Sequence, residues 1–310
     1  MGKLKDLLRG VLSKEELEKV PSSFDIVGSR EGAVAIIEIP PELYERRRLI
    51  AEAIMRLHKN VRTVVAKRSP RKGAYRVRDY EIILGSENTE VTHKEYGALL
   101  KLDPLKVYFS PREATERLRV ASKVRPGEVV MLMFAGVGPY AVAIARVQPL
   151  VRKIIAIEIN PDAYRYLIEN VRLNKLEGKV IPVLGDVRDK CRHWYGRCDR
   201  VVMPLPKGAY EYLDEAFRCL KPQGGVIHFY HWGPEGDLFG EGVRIINEYA
   251  QKYGVTVKIL EKRKVLPYAP KVYKVCIEFE VRPKRLPSDL SSLTLLLASS
   301  SPPPPLWLAL

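Results

Sequence analysis

Cysteine is scarce in this chain, and its four copies (Cys191, Cys198, Cys219, Cys276) form no C-x-x-C pair, which argues against a structural zinc site. Cys191 and Cys198 are close enough in sequence to bridge, but two free thiols are the simpler expectation. No apolar run reaches the roughly 18 residues that a membrane span requires. The N-terminus, Met1-Gly-Lys-Leu-Lys-Asp-Leu-Leu-Arg9, carries charge through its apolar stretch, unlike a secretory signal. Asp6 stands where N-myristoylation needs Ser or Thr. A cytoplasmic protein is expected, with no metal, membrane or stable protein partner. The three-glycine dinucleotide fingerprint, G-x-G-x-x-G, is missing as well. Acidic residues are outnumbered, 37 Asp and Glu against 52 Lys and Arg, for a net charge of +15 in 310 residues. That excess favours a polyanionic partner through counterion release, without choosing among RNA, DNA and anionic membrane.

What is present suffices for one large domain or two ordinary ones, with 46% hydrophobic residues to build a core. Residues 1 to 20 are expected to form an N-terminal helical segment, with Ser13 capping Lys14-Glu-Glu-Leu-Glu. A small α+β domain is expected over 21–107. It comprises a β-rich stretch at Ala33 to Ile39 and a helix opened by Pro41 with Leu49, Ile50, Ala53, Ile54 and Leu57 at helical spacing. Strands follow at Val61 to Ala66 and Tyr80 to Leu84, then a hairpin or pair of short strands over Val91 to Leu102. From 108 to 283, strands near 128–133, 153–158, 179–184, 199–203, 224–230, 255–261 and 272–281 alternate with helices near 111–123, 138–147, 161–174, 208–220 and 238–252. Alternation predicts a mainly parallel sheet, and the last two strands, joined around Pro267-Tyr-Ala-Pro270, add an antiparallel hairpin. Residues 284–310, Ser/Leu-rich and then carrying Pro302 to Pro305, read as a disordered tail without function.

Phe134-Ala135-Gly136-Val137-Gly138-Pro139 lies between the apolar runs Val129 to Met133 and Tyr140 to Ala145, and Ile154 to Glu158 follows, then Ile159. This is a strand, a glycine turn, a helix and a second strand ending in an acid. Gly136 and Gly138 let the backbone approach a ligand closely, and Glu158 can accept both hydroxyls of a ribose. A single short glycine turn suits S-adenosylmethionine, which has no pyrophosphate to cradle. Asp186, followed by Val187, ends the third strand and can accept a hydrogen bond from an adenine amino group. Pro204-Leu-Pro206 ends the fourth. Each could be an ordinary turn residue, yet all lie at carboxyl ends of strands, where open α/β sheets bind ligands.

Two further segments carry chemistry. Lys67-Arg68-Ser-Pro-Arg71-Lys72-Gly-Ala-Tyr75-Arg76-Val-Arg78 holds six cations in twelve residues. It reads either as a solvated loop or as an RNA contact with phosphate-binding cations and one stacking ring. In Tyr108-Phe-Ser-Pro-Arg112-Glu-Ala-Thr-Glu116-Arg117, Pro111 suits a first helical turn with Ser110 as cap. Arg112 and Glu116 then share a face at i and i+4, either as a surface ion pair or as an acid held beside a cation at the mouth of the pocket.

Taken together, Tyr-Phe-Ser-Pro-Arg-x-Ala-Thr-Glu-Arg, Met-Phe-Ala-Gly-Val-Gly-Pro, Ala-Ile-Glu-Ile-Asn-Pro, the Leu-Pro turn and Tyr-Ala-Pro resemble the archaeal and eukaryotic tRNA (guanine-37 N1)-methyltransferase family. The match extends over residues 22 to 283. It implies a Rossmann-like class I methyltransferase sheet with a terminal antiparallel hairpin, preceded by the small α+β domain. It implies methyl transfer from S-adenosylmethionine to N1 of guanosine 37 in the anticodon loop of tRNA. Glu116 would take the N1 proton and Arg76 would steady charge on O6, with Arg78 the alternative if the register slips. Arg112 and Arg117 would flank the base, and Tyr108, Pro204 and Pro206 would shape the methionine end of the cofactor site. Lys67, Arg68, Arg71, Lys72, Arg78 and Arg117 form the expected RNA contacts. The chemistry is coherent: N1 is protonated at neutral pH, a carboxylate within reach can remove its proton, and a guanidinium stabilises the resulting charge. The base must leave its stack to enter.

Departures from the family pattern are Leu132, where an Asp is usual, and Pro204, where the turn usually carries Asn; both are expected to weaken cofactor affinity. Because only residues 1–20 precede the α+β domain, the form lacking the extra domain that grips the tRNA outer corner is expected. Archaeal relatives also methylate a wyosine precursor, an activity this sequence leaves open. The alternatives are the wyosine-pathway aminocarboxypropyl transferase, whose sequence after Ser-Pro differs from Arg112-x-x-x-Glu116, and an inactive RNA-binding relative.

Overall fold

The computed structural model describes residues 3 to 284; the tail expected beyond Lys284 lies outside the described residues. Backbone contacts divide the chain into a first unit that ends at His193 and a second that begins at Trp194. This division is by packing; the domain limits at 20, 107 and 283 divide by role and remain a proposal.

In the first unit, two helices replace the single N-terminal segment expected: α1 (Lys3–Leu8) and α2 (Lys14–Lys19). Gly10, at φ +80°, breaks the chain between them. Ser13 opens α2 with a reciprocal capping box, its hydroxyl accepting from the Glu16 N–H while the Glu16 carboxylate accepts from the Ser13 N–H. Then come β1 (Asp25–Ser29), unmarked in sequence by its glycine and polar ends, and β2 (Gly32–Ile37). Pro41 starts a 3-10 turn (Pro41–Arg46), not the α-helix itself, and α3 (Arg47–Leu57) follows. β3 (Val61–Lys67) and β4 (Tyr80–Gly85) complete a sheet in the order β1-β2-β3-β4, parallel only between β2 and β3. Ile50, Ala51, Ala53 and Ile54 of α3 enter the same core as Ala33, Ala35, Ile37 and Val64 of the sheet.

β5 (Val91–Glu95) and β6 (Ala98–Leu102) form a hairpin over a two-residue turn in which Tyr96 (φ +46°) and Gly97 (φ +80°) are both left-handed; such a turn matches the twist of the strands. After a 3-10 turn (Pro111–Glu113) comes α4 (Ala114–Ser122). Strand and helix then alternate: β7 (Val129–Leu132), α5 (Pro139–Val147), β8 (Lys153–Glu158), α6 (Pro161–Leu173), β9 (Val180–Leu184) and the short α7 (Val187–Lys190). The three strands are parallel, and β7 is buried throughout, as parallel strands covered on both faces require.

The second unit holds β10 (Arg200–Met203), a 3-10 turn (Ala209–Tyr212) where the start of a helix was expected, α8 (Leu213–Cys219), β11 (Gly225–Pro234), α9 (Gly240–Lys252), β12 (Val255–Ala269) and β13 (Val272–Pro283). β10 and β11 are parallel, whereas β13 is antiparallel to both β11 and β12. The terminal hairpin of the sequence reading is therefore present, with longer strands. All four cysteines are buried and none is in a disulfide, so Cys191 and Cys198 are not bridged. Among the described residues no helix is long and apolar enough to cross a membrane.

Candidate active site

The glycine turn follows β7 directly, and every second residue in it is left-handed: Phe134 (φ +57°), Gly136 (φ +57°) and Gly138 (φ +90°). At Gly138 a side chain is excluded twice, by that φ and by Leu167, whose Cδ1 would lie 2.6 Å from an added Cβ. Gly136 is different, since a Cβ there would meet only the Tyr108 carbonyl oxygen, at 3.9 Å. Its openness therefore keeps the turn accessible rather than satisfying packing.

Glu158, at the carboxyl end of β8, accepts from the Gly136 N–H (2.6 Å) with one carboxylate oxygen and from the Asn160 N–H (2.7 Å) with the other. It has no cationic partner among the described residues. Burial raises its pKa, against the pull of the Asn160, Gly136 and Ile159 amides. A buried acid with spare lone pairs and no cation suits vicinal hydroxyl donors, so the residues present fit the ribose of S-adenosylmethionine. Asp186 caps α7, accepting from the Arg188 N–H at 2.8 Å. In the second unit, Pro204-Leu205-Pro206 directly follows β10, folded tightly enough for the Leu205 N–H to donate to the Met203 carbonyl at 2.8 Å.

Tyr108 joins the turn to the basic loop. The Arg71 guanidinium lies 4.1 Å from its ring centroid, and the Tyr108 hydroxyl donates to the buried Glu113 at 2.8 Å. Burial, reinforced by that carboxylate, pushes the phenol well above its usual range. Around Arg71, burial disfavours the charge of Lys67, and the nearby cations of Arg78 and Arg112 add to the effect, opposed by Asp25 and Glu38. The Arg78 Nε is buried without a hydrogen-bond partner. Arg76 has a left-handed backbone (φ +56°) whose carbonyl accepts from Arg71 at 3.2 Å; its own side chain has no hydrogen bond or ion pair among the described residues. Arg68 stacks over Tyr44 (4.6 Å) beside Glu81 (3.5 Å), and Lys72 pairs at the surface with Asp79 (3.0 Å).

Three expectations need correction. Arg112 does not pair with Glu116; it reaches Asp25 of β1 at 2.5 Å. Glu116 is instead held by Arg119, Nε to Oε2 at 2.8 Å and Nη2 to Oε1 at 2.7 Å, and only 5% of the glutamate is exposed. The 3-10 turn before α4 shifts the helical register, and the Ser110 side chain makes no cap hydrogen bond. Arg117 leaves the RNA-contact set. It is 2% exposed and grips Glu95 with two hydrogen bonds (2.8 and 2.6 Å) while donating to the Ser110 carbonyl.

Asn170 of α6 was not singled out in the sequence. Its amide donates to the Val137 carbonyl (2.9 Å), inside the glycine turn, and to the Lys101 carbonyl (3.0 Å), while its oxygen accepts from the Lys101 N–H (2.6 Å). One turn later, Asn174 accepts from the Leu99 N–H (3.1 Å) and donates to its carbonyl (2.7 Å). The spacing explains the fit: four residues of helix rise about 6.0 Å, and two residues of strand about 6.6 Å. The sequence signal is a pair of asparagines at i and i+4 on the buried side of an amphipathic helix.

Among known proteins, residues 91–259 match the TRM5/TYW2 methyltransferase domain and residues 4–89 match the TYW2 N-terminal domain. The tRNA (guanine(37)-N(1))-methyltransferase Trm5b of Pyrococcus abyssi is 47% identical over 268 residues, 86% of this chain and 77% of that protein. Its crystal structure superposes with a TM-score of 0.80 at 44% identity, covering 91% of this chain and 81% of the other. The complex of aTrm5 with tRNALeu gives a TM-score of 0.78 at 35% identity, covering 90% and 78%. Pyrococcus horikoshii TYW2, solved with MeSAdo, gives 0.74 at 30% identity, covering 91% and 98%. The architecture is thus the Rossmann-like, S-adenosylmethionine-dependent methyltransferase fold with a terminal antiparallel hairpin and a preceding α+β region. With its glycine turn, its buried strand-end glutamate and these likenesses over most of its length, the chain belongs to the TRM5/TYW2 methyltransferase family.

Proposed function

We propose that this chain transfers a methyl group from S-adenosylmethionine to N1 of guanosine 37 in tRNA. The observation that carries this reading is Tyr108, where the basic loop and the glycine turn meet: Arg71 covers its ring, and its carbonyl adjoins Gly136. A cationic surface for a polyanion and a turn suited to the cofactor thereby adjoin one residue.

In this reading Phe134 to Gly138, Glu158, Ile159, Asp186, Val187 and Tyr108 hold the cofactor, which supplies an electrophilic methyl when bound. Glu116 accepts the N1 proton. Its bidentate pair with Arg119 fixes the carboxylate direction. Arg76, whose side chain has no hydrogen bond or ion pair among the described residues, offers its guanidinium to the charge that develops on O6. Arg112, tied to Asp25, lies beside the base site. Lys67, Arg68, Arg71, Lys72 and Arg78 meet phosphates. Buried cysteines outside any disulfide and a tRNA substrate fit a cytoplasmic setting.

The test is incubation with labelled S-adenosylmethionine and tRNA transcripts bearing G37 or A37. Label is expected on G37 alone; equal or absent labelling would sink the reading. A second reading is favoured by one observation, the match of residues 4–89 to the TYW2 N-terminal domain: transfer of the aminocarboxypropyl arm of the same cofactor. Label in the methyl group distinguishes them, because only methylation moves it to RNA. A tRNA carrying a wyosine precursor at position 37 tests whether the pocket admits the third ring.

A further inference from the structure

We propose that the tip of the β12–β13 hairpin is an RNA-stacking platform on which Tyr268 receives an unpaired base of the anticodon loop. The inference rests on tRNA being the substrate and adds a contact surface in the second unit.

Topology places the tip. β13 runs against both β11 and β12, so β12 runs in the direction of β10 and β11. The turn after Ala269 therefore lies at the carboxyl end of the second unit's strands, the end at which Pro204-Leu205-Pro206 follows β10. Open α/β sheets present their ligands at that end.

The tip is also chemically suited to a base. Tyr268 is 61% exposed, yet it is not loose: Trp232 stacks against it with ring centroids 3.9 Å apart and planes at 29°. One face of the phenol is thus occupied and its orientation held, while the remaining ring surface meets solvent. A ring pinned in this way loses little entropy when a base stacks on it. Cations surround the tip. Lys271, in the turn, is exposed with a left-handed backbone (φ +59°). The Lys264 ammonium lies 3.5 Å from the centroid of Tyr273, which is paired in register with Pro267. Lys262 and Arg263 continue the exposed basic series along β12, which among the described residues pairs with β13 alone. Glu235 accepts from the Tyr273 hydroxyl at 3.3 Å. Pro267, Ala269 and Pro270 beside Tyr268 are exposed but small, so the tip offers one large aromatic face with Lys264 and Lys271 near it, a combination that favours nucleic acid over a protein partner.

The experiment compares wild type, Tyr268→Ala and Tyr268→Phe as full chains, reading the affinity for an anticodon stem-loop by fluorescence anisotropy, alongside tRNA methylation and S-adenosylmethionine affinity. Tyr268→Ala is expected to weaken stem-loop binding roughly 10-fold, Tyr268→Phe to retain it, and cofactor affinity to be the same in all three. Stem-loops with a single abasic loop position should erase the wild-type advantage at one position only. Equal affinity of wild type and Tyr268→Ala overturns the platform, whether the exposed ring then serves packing or a protein contact. Because binding is read apart from turnover, a wild type that binds the stem-loop through Tyr268 without methylating it would remove the proposed reaction and leave the platform standing.

Discussion

Arg119 holds Glu116 with two parallel hydrogen bonds, 2.8 and 2.7 Å, while Arg112, one turn earlier, is drawn away to Asp25. The acid proposed as base is therefore oriented from the C-terminal side, by a residue in its own helix. Replacing Glu116 with Gln keeps the shape and removes the proton acceptor. Turnover on G37 tRNA is expected to fall by about 10²- to 10⁴-fold with tRNA binding nearly intact, as read by single-turnover kinetics beside filter binding. Retention of full rate would remove Glu116 from the mechanism.

The basic loop should divide by variant into chemistry and affinity. Arg76→Ala is expected to lower the rate at saturating tRNA by about 10²-fold, because no group among the described residues engages the guanidinium. The double variant Lys67→Ala with Arg68→Ala should instead raise the tRNA dissociation constant, and the slope of log affinity against log salt should become shallower by about one to two. A salt slope identical to wild type would return these two cations to the solvated-loop reading.

Asn170→Ala leaves the Val137 and Lys101 carbonyls and the Lys101 N–H without their partner. A stability loss of about 2–4 kcal/mol is expected in denaturant unfolding. Cofactor affinity should fall as well, measurable by calorimetry, because the peptide between the two glycines is no longer anchored. Unchanged cofactor affinity in the folded variant would confine Asn170 to packing.

Gly138→Ala should be more damaging than its size suggests, through both the +90° φ and the clash with Leu167. A loss of about 1–3 kcal/mol is expected, with Gly136→Ala affecting cofactor binding more than folding. Thermal melts with and without cofactor separate the two.

His93 sets a pH dependence. Burial lowers its pKa, with Glu95 acting in the opposite direction, and its Nδ1 accepts from the Gly28 N–H at 3.1 Å. The folded state therefore prefers the neutral ring. The stabilisation is present above the unfolded pKa of about 6.5 and is lost as pH falls below it towards the depressed folded value. Melting of the wild type between pH 7.5 and 5 should decline more than that of His93→Gln; parallel curves would show that the ring does not titrate in this range.

Local signals in the sequence located the glycine turn and the acid at the end of the next strand. Gly136, Gly138 and Glu158 are tied by strand and helix periods over about two dozen positions, so spacing alone places them at strand ends. Contacts between distant segments were not legible. Nothing near Arg112 announces Asp25, 87 positions away, and the formal charge of Arg117 says nothing of its burial against Glu95. The Tyr-Ala-Pro turn was visible, but the stacking of its tyrosine on Trp232 depends on strand register that no motif encodes. Pro111 stands at a helical start, as its position suggests; the first turn is 3-10 and the Ser110 side chain makes no cap hydrogen bond, neither of which a local motif encodes.

Asn170 of α6 and Asn174, which caps it, have a consequence for how this chain can vary. Each clasps the N–H and carbonyl of one β6 residue at matched intervals. Deleting or inserting a single residue between Leu99 and Lys101, or between Asn170 and Asn174, would put both clasps out of step at once. These two stretches must therefore keep their lengths jointly, whatever side chains change around them.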